Sequence, residues 1–363
     1  MLSEKSKKTV NACRFCCMCR HLCPLGLALG KELNNPRAKA LLLSMIEKGS
    51  VQLPDVALDM YECCLCNACS ENCETGYEPA VFIREIRSLL VAEGLAPQPA
   101  LDMIDRLLQD GTLYGINAGK TLEHLKVGAE PGKKVLVYVG AAAAVKNPET
   151  MNAFFNLLKK ADVDFSVFRE NNSTGASEYD LMGEIQETKD VAAVCAELIN
   201  GYKAKTVVVL NPTDARMMKQ EYSKWGIALN CEVFTATTFV DQLIRDHKLN
   251  ITKTSGTVTF HDPCRLARDL EETEPARQII KAMGYDIKEM WQSKELTKCC
   301  GGEIMAAYSP KIAEKTAKGR MENAKGTEAE MLVCACPCCE TNMKLAQGIP
   351  VTDIFIMLDG LAQ

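Results

Sequence analysis

A chain of 363 residues, 47% of them hydrophobic, has room for two or three domains with real cores. A formal net charge of −5 with no basic block gives no reason to expect nucleic-acid binding. Nineteen cysteines with a polar opening (MLSEKSKKTV), no basic-then-apolar leader and no apolar run of eighteen argue against a secreted disulfide scaffold and a spanning helix. The expectation is a cytoplasmic protein whose thiolates hold metal, tied to a membrane only through a partner.

Residues 1–96 carry two copies of one cysteine spacing. Cys13, Cys16, Cys19 and Cys23 follow C-x2-C-x2-C-x3-C, and Cys63, Cys66, Cys69 and Cys73 repeat it. In two-cluster bacterial ferredoxins, three thiolates of each loop wrap one cubane and the fourth crosses to the other. That rule assigns Cys13, Cys16, Cys19 and Cys73 to one [4Fe–4S] cluster and Cys63, Cys66, Cys69 and Cys23 to its neighbour, with zinc as the alternative metal. Pro24 follows the first run but Glu74 follows the second, so the turn leaving Cys73 departs from the pattern. Amphipathic stretches at Arg37 to Lys48 and Ile83 to Glu93 predict a helical ferredoxin with long helices between the loops. Cys17 and Cys64 read as small apolar fillers beside the loops, the alternative being swap ligands. Arg14, Arg20 and His21 read as solvated cations, the alternative being a docking or tuning role.

Residues 97–132, with Pro97, Pro99 and Pro131-Gly132 around a helical stretch at 100–110, read as a packed connector. An α/β pattern follows: strand Val135 to Val139, helix Thr150 to Ala161, strand Phe165 to Phe168, a helical stretch ending at Gly201, and strand Thr206 to Leu210. From residue 251 the pattern returns with cysteines. Short buried strands at Thr257 to His261 and Glu330 to Cys334 run toward Cys264 and toward Cys336 and Cys339, while Cys299 and Cys300 precede Gly301, Gly302 and a predicted helix from Glu303 to about Ala324. These groups fall at strand exits and helix starts, where open α/β sheets place ligands and where free N–H groups favour an anionic site. Iron–sulfur or zinc are the candidate occupants.

The segments HDPCRLAR (261–268), CCGG (299–302) and CACPCCETNM (334–343) resemble the CCG domain of heterodisulfide reductases, which also occurs in iron–sulfur subunits of glycolate, lactate and glycerol-3-phosphate dehydrogenases. The ferredoxin spacing and NCETGYEPAVFIREIR resemble the dicluster module fused to that domain. The resemblance implies that Cys264, Cys299, Cys300, Cys336 and Cys339 hold a third four-iron cluster of non-cubane type, zinc being the less favoured occupant. It implies a partner as well: a flavin-containing dehydrogenase or an electron-transferring flavoprotein.

Against this copy, residues 133–250 read as a degenerate repeat that has lost its ligands. Ala142 stands for Cys264, Asn171 and Asn172 for the cysteine pair, and Asn211 and Asp214 for the last two ligands; these polar residues read as scaffold, the alternative being a pocket or a divalent-ion site. Cys195 and Cys231 read as core residues. His261 reads as a hydrogen-bond partner of the cluster loop, the alternative being a proton donor. Of the interleaved cysteines Cys334 and Cys338, strand alternation makes Cys334 the better candidate for an alternate ligand.

The expected fold class is therefore α+β multidomain: a helical two-cluster ferredoxin (1–96), a helical connector (97–132), a degenerate CCG repeat (133–250) and a CCG repeat with the five-cysteine site (251–363). No dinucleotide fingerprint or P-loop is present, and thirteen of nineteen cysteines are assigned as ligands. The function expected is electron relay between a partner flavin and an acceptor, with iron–sulfur centres carrying single electrons. The alternative is a thiol–disulfide reductase acting at the five-cysteine site, and no catalytic residue is assigned.

Overall fold

A computed structural model describes residues 2–123, 125 and 127–363. Up to residue 122 the described residues contain helices and no strand. The longest, Pro79–Ala92, buries Phe82, Ile83, Ile86 and Leu90 on one face, the i, i+3, i+4, i+7 stripe expected of a core helix. It packs against Glu4–Ala12, Pro36–Glu47 and Gln98–Asp110 in one apolar core, to which Leu181 and Met182 of the following unit also belong. The connector helix thus completes the first core instead of spacing two domains.

Two four-stranded parallel sheets follow. The first holds β1 (Val135–Tyr138), β2 (Phe165–Val167), β3 (Thr206–Val209) and β4 (Glu232–Thr235) in the order β2-β1-β3-β4. The second holds β5 (Thr257–Phe260), β6 (Asp286–Ile287), β7 (Met331–Cys334) and β8 (Val351–Asp353) in the order β6-β5-β7-β8. The same order of four parallel strands twice makes the two units structural repeats. β1 and β3 are apolar on both faces, as parallel strands covered by helices must be. A single core joins the units, with Phe154 of the first against Phe355 of the second at 5.1 Å. Buried Glu340 of the second accepts from Asn147 Nδ2 (2.8 Å) and Thr150 Oγ1 (2.7 Å) of the first.

Two features differ from the expected elements. β4, β6 and β8 are additional to the expected strands; they are short outer strands with partly exposed residues, too weak in pattern to stand out. The helix expected over 303–324 is two helices, Gly302–Tyr308 and Pro310–Lys325. Ser309 lies at φ −151°, ψ 91°, extended as the residue before a proline prefers.

Candidate metal centre

The two ferredoxin-type loops share a backbone signature. Phe15 and Cys17 in the first, and Leu65 and Asn67 in the second, take φ between +50° and +67°, at the same offsets from Cys13 and Cys63. For non-glycine residues this conformation is costly and persists where the surroundings impose it. It turns backbone N–H groups inward: Phe15 N donates to Cys13 Sγ (3.5 Å) and Leu65 N to Cys63 Sγ (3.4 Å). Concave runs of N–H groups suit an anionic centre.

In the first loop Cys13 interacts with Cys16 and Cys73, and Cys19 with Cys13 and Cys73, so the residue that crosses from the other run lies among them. Cys16 is exposed. In the second, one cavity is lined by Cys63, Cys66, Cys69 and Cys23, again with the crossing cysteine present. Burial pushes the Cys19 thiol up to about 11 and Cys23 up to about 12, and Cys69 also rises. Buried thiols with such values stay protonated near neutrality unless a metal displaces the proton, which is the chemistry of a thiolate cluster site. Buried Lys39 lines the same cavity and donates to the Asp59 carbonyl.

The five cysteines of the second repeat converge on a third cavity, lined by Cys264, Cys299, Cys300, Cys336 and Cys339. Cys300 Sγ is 3.4 Å from Cys339 Sγ, and Cys264 Sγ is 3.9 Å from Cys299 Sγ. Cys264 lies four residues beyond β5, Cys336 caps the helix Pro337–Leu345 after β7, and Gly301 (φ +110°) turns the chain from the cysteine pair into the helix Gly302–Tyr308. Two donors beside these sites have no partner. Arg320 Nε donates to His261 Nδ1 (3.2 Å), so the ring proton sits on Nε2, which is buried and unpaired. A nitrogen of this ring, Cys300 Sγ and Cys339 Sγ lie within 4.8 Å of one another. Arg268 Nη2 is likewise a buried donor without a partner. Unpaired N–H groups beside converging sulfurs fit an anionic sulfur-ligated group better than an apolar core, where each orphan costs about 1–3 kcal/mol.

The third cavity abuts the second ferredoxin loop. Cys64 of that loop lines the cavity together with Cys264, Cys299 and Cys300. Cys64 Sγ donates to the Gly301 carbonyl (3.2 Å), so it is a bridge between the sites as well as a filler. Arg265 Nη1 donates to the Leu65 carbonyl (3.1 Å) and Arg268 Nε to the Cys66 carbonyl (2.6 Å). Arg265 also pairs with Asp180 (2.6 Å), which pairs with Arg84 of the ferredoxin-like region (2.8 Å). Burial raises the Asp180 pKa, but Arg265, Arg84 and Arg216 outweigh it and hold the carboxyl at about 2. These cross-links are not visible in sequence: their partners lie 85 to 202 residues away. The one signal is an arginine three residues after another in HDPCRLAR.

The corresponding place in the first repeat is a polar cavity lined by Gly140, Asn172, Ser173, Asn211, Thr213 and Asp214, among others. The structure shifts the expected equivalence by two residues. Gly175 (φ +81°) caps the helix Ala176–Met182 as Gly301 caps Gly302–Tyr308, so Ser173 and Thr174, not Asn171 and Asn172, stand where Cys299 and Cys300 stand. Thr174 Oγ1 donates to Asp214 Oδ1 (2.5 Å), the counterpart of the Cys300–Cys339 contact. Asn171 is exposed. A Cβ on Gly140 (φ +76°) would meet Asp214 Oδ2 at 2.7 Å. Burial pushes Asp214 and Glu178 up to about 7.

The remaining residues fall as follows. Cys195 is fully buried and burial raises it to about 12; Cys231 is half-buried. Arg14 donates to the Asn11 carbonyl (2.7 Å), and Arg20 pairs with Glu32 (3.5 Å) at the surface, where His21 is also exposed. Cys334 packs in the core beside Met321 and Leu332 and does not line the five-cysteine cavity, whereas Cys338 does. Strand alternation ends with β7, because the next helix starts at Pro337 and turns Cys338 inward instead.

Among the described residues no helix is long and apolar enough to cross a membrane. The cysteine-rich domain family CCG matches residues 258–344. Over its length the chain is 25% identical to a dihydromethanophenazine:CoB–CoM heterodisulfide reductase subunit of Methanosarcina acetivorans, covering 96% of this chain and 93% of that protein. It is 26% identical to a probable membrane-anchored ferredoxin of Chromohalobacter salexigens, but spans only 55% of that protein's length while 91% of this chain is covered. The glycolate oxidase iron–sulfur subunit of Escherichia coli is 22% identical, with 93% of this chain and 90% of that one covered. A hypothetical protein from Helicobacter pylori shares the fold (TM-score 0.56, 9% identity, 99% of this chain and 73% of that one). Residues 258–344 are therefore a CCG cysteine-rich domain, carried by a chain whose relatives include a heterodisulfide reductase subunit and iron–sulfur subunits of oxidoreductases.

Proposed function

We propose that this chain is the iron–sulfur electron-transfer subunit of a flavin-dependent oxidoreductase complex, relaying single electrons between a partner flavin and an acceptor. In this reading Cys13, Cys16, Cys19 and Cys73 hold one [4Fe–4S] cubane, and Cys63, Cys66, Cys69 and Cys23 hold the second. Cys264, Cys299, Cys300, Cys336 and Cys339 hold a third four-iron centre of non-cubane type. Clusters held by such sets supply reversible one-electron oxidation and reduction. The chain's own residues do the rest. Arg265 and Arg268 clamp the second ferredoxin loop onto the third site, Lys39 sets a cation beside the second, and the apolar helices exclude water.

The observation that carries this reading is the shared boundary of the two thiol sites: Cys64 of the second loop lines the five-cysteine cavity and donates to the Gly301 carbonyl (3.2 Å), and Arg268 Nε donates to the Cys66 carbonyl (2.6 Å). A glycolate oxidase iron–sulfur subunit and an EtfAB:quinone oxidoreductase among the relatives support a flavoprotein partner. The test is stopped-flow reduction of the anaerobically loaded chain by a reduced flavoprotein. Reduction at the five-cysteine site should slow in Cys66→Ser, in which the ligand set of the second cluster is broken, while the first ferredoxin site stays reducible. Equal rates in wild type and variant would refute the relay.

A second reading, a thiol–disulfide reductase, is favoured by one feature: Cys338, beside the five-cysteine cavity, also lines an opening to the surface. The loss of every thiol from the first repeat's site weighs against it. Reduced viologen with a panel of disulfides separates the two, because a pure relay consumes none.

A further inference from the structure

The two ferredoxin-type loops share a backbone but not an electrostatic setting. Around the second, three cations are buried: Lys39 is 2% exposed, Arg87 0% and Arg268 8%. None of the three pairs with a carboxylate among the described residues; each donates to main-chain carbonyls. Lys39 lines the cavity of Cys23, Cys63, Cys66 and Cys69 and donates to the Asp59 carbonyl. Arg87 donates to the carbonyls of Met60 (3.0 Å), Tyr61 (3.2 Å), Cys63 (2.9 Å) and Asp180 (2.6 Å). Arg268 donates to those of Cys66 (2.6 Å), Glu295 (2.8 Å) and Thr297 (2.7 Å), and its Nη2 has no partner.

Carbonyl contacts orient these side chains but leave their charge uncompensated, and a buried cation without a counterion is costly. The place they surround therefore calls for negative charge. The one carboxyl lining that cavity, Glu62, is partly exposed and held by Asn34 Nδ2, so water weakens its field. At the first loop the cations face solvent instead. Arg14, Arg20 and His21 are exposed, and Arg20 and Arg37 both pair with Glu32, at 3.5 and 2.7 Å. Charges so placed are screened or neutralised, whereas buried ones act at low dielectric.

We infer that the second ferredoxin-type site is the electron trap of the pair: Lys39, Arg87 and Arg268 raise its reduction potential above that of the first, so that a single electron shared by the two rests beside the five-cysteine site. The inference rests on the proposed ligand sets and goes beyond them by ordering the two centres. The step is a bare electron transfer, in which the first centre is oxidised by one electron and the second reduced by one, with no bond made or broken. Reduction adds one negative charge to the centre that receives it, and fixed cations in a dry surround stabilise that charge most.

Potentiometric titration of the anaerobically loaded full-length chain, followed by electron paramagnetic resonance, tests it. Cys16→Ser, which alters or removes the signal of the first centre, assigns the two. The wild type should reduce its second centre first: at the poise where the second is half reduced, the first should be at least about tenfold more oxidised than reduced. Lys39→Gln, and independently Arg268→Gln, should lower the reduced-to-oxidised ratio of the second centre at that poise at least about tenfold, with the first centre unmoved. A merely structural role for either cation predicts loss of iron rather than a shifted potential, so iron is measured in the same samples; should one variant lose iron, the other and the wild-type order still decide. A first centre reduced at the same or a higher poise, or a second centre unmoved in iron-replete variants, overturns the inference. Absence of two ferredoxin-type signals from the wild type sinks the ligand assignment beneath it, a failure distinct from two signals in the opposite order.

Discussion

The two α/β repeats share strand order, helix caps and core, yet differ at the few positions where chemistry would sit. Where the second repeat sets Cys300 against Cys339 at 3.4 Å, the first sets Thr174 against Asp214 at 2.5 Å. One pair offers two sulfurs and the other a neutral hydroxyl–carboxyl contact. The backbone signals that aim them, Gly175 and Gly301 at positive φ before a helix, are common to both. The fold is specified by apolar strands and helix starts, and the capacity for a soft metal by a handful of side chains grafted on it. The same architecture can therefore stand with or without a converging set of thiols.

The sharpest way to break this comparison is to alter matching positions. Cys339→Ser should remove the third centre and with it about a third of the visible iron–sulfur absorbance, whereas Asp214→Asn, its counterpart, should remove none. Equal losses from both would mean that the repeats are not chemically distinct.

Next in size is the joint between the repeats and the ferredoxin-like region. Asp180→Asn leaves Arg84 and Arg265 buried against a neutral partner, and should cost about 3–5 kcal/mol in denaturant unfolding. The pH dependence has a definite sign. Because Asp180 is held at about 2, below the ordinary carboxyl value of about 3.9, its contribution is present above that value and is lost as pH falls from about 4 to about 2. The variant should show a shallower loss of stability across that acid window.

Asp214 has the opposite sign. Its folded value of about 7 lies above the unfolded one, so its contribution is fully present below about pH 4 and disappears as pH rises through about 7. Asp214→Asn, which cannot ionise, should flatten the decline in stability between those values and leave the protein more stable at pH 8 by at least about 1 kcal/mol. Thermal melts at several pH values check this. The smallest effect is expected between the repeats: Thr150→Val removes one of the two donors to buried Glu340 and should cost about 1 kcal/mol without changing iron content.

Much of this is legible without the fold. The cysteine spacings assign thirteen thiols, and the structure gathers them in three groups, each with the crossing or distant member present. The central strands β1, β3, β5 and β7 stand out because both faces are buried, while β4, β6 and β8, half-buried or two residues long, do not. The helix break is written in the sequence at Pro310, although the apolar pattern runs on through it. The cysteine-pair equivalence slips by two residues because sequence alone does not show which glycine carries the positive φ. Arg84, Asp180, Arg265 and Arg268 cannot be read as a unit, since local pattern carries no information on partners so distant in the chain.

The central claim is that a third inorganic centre adjoins the ferredoxin pair. Iron, sulfide and zinc counted per chain in anaerobically prepared full-length protein test it most directly. Three four-iron centres predict about twelve irons, matching sulfide and no stoichiometric zinc. About eight irons, with Cys264, Cys299, Cys300, Cys336 and Cys339 empty or holding zinc, would contradict it.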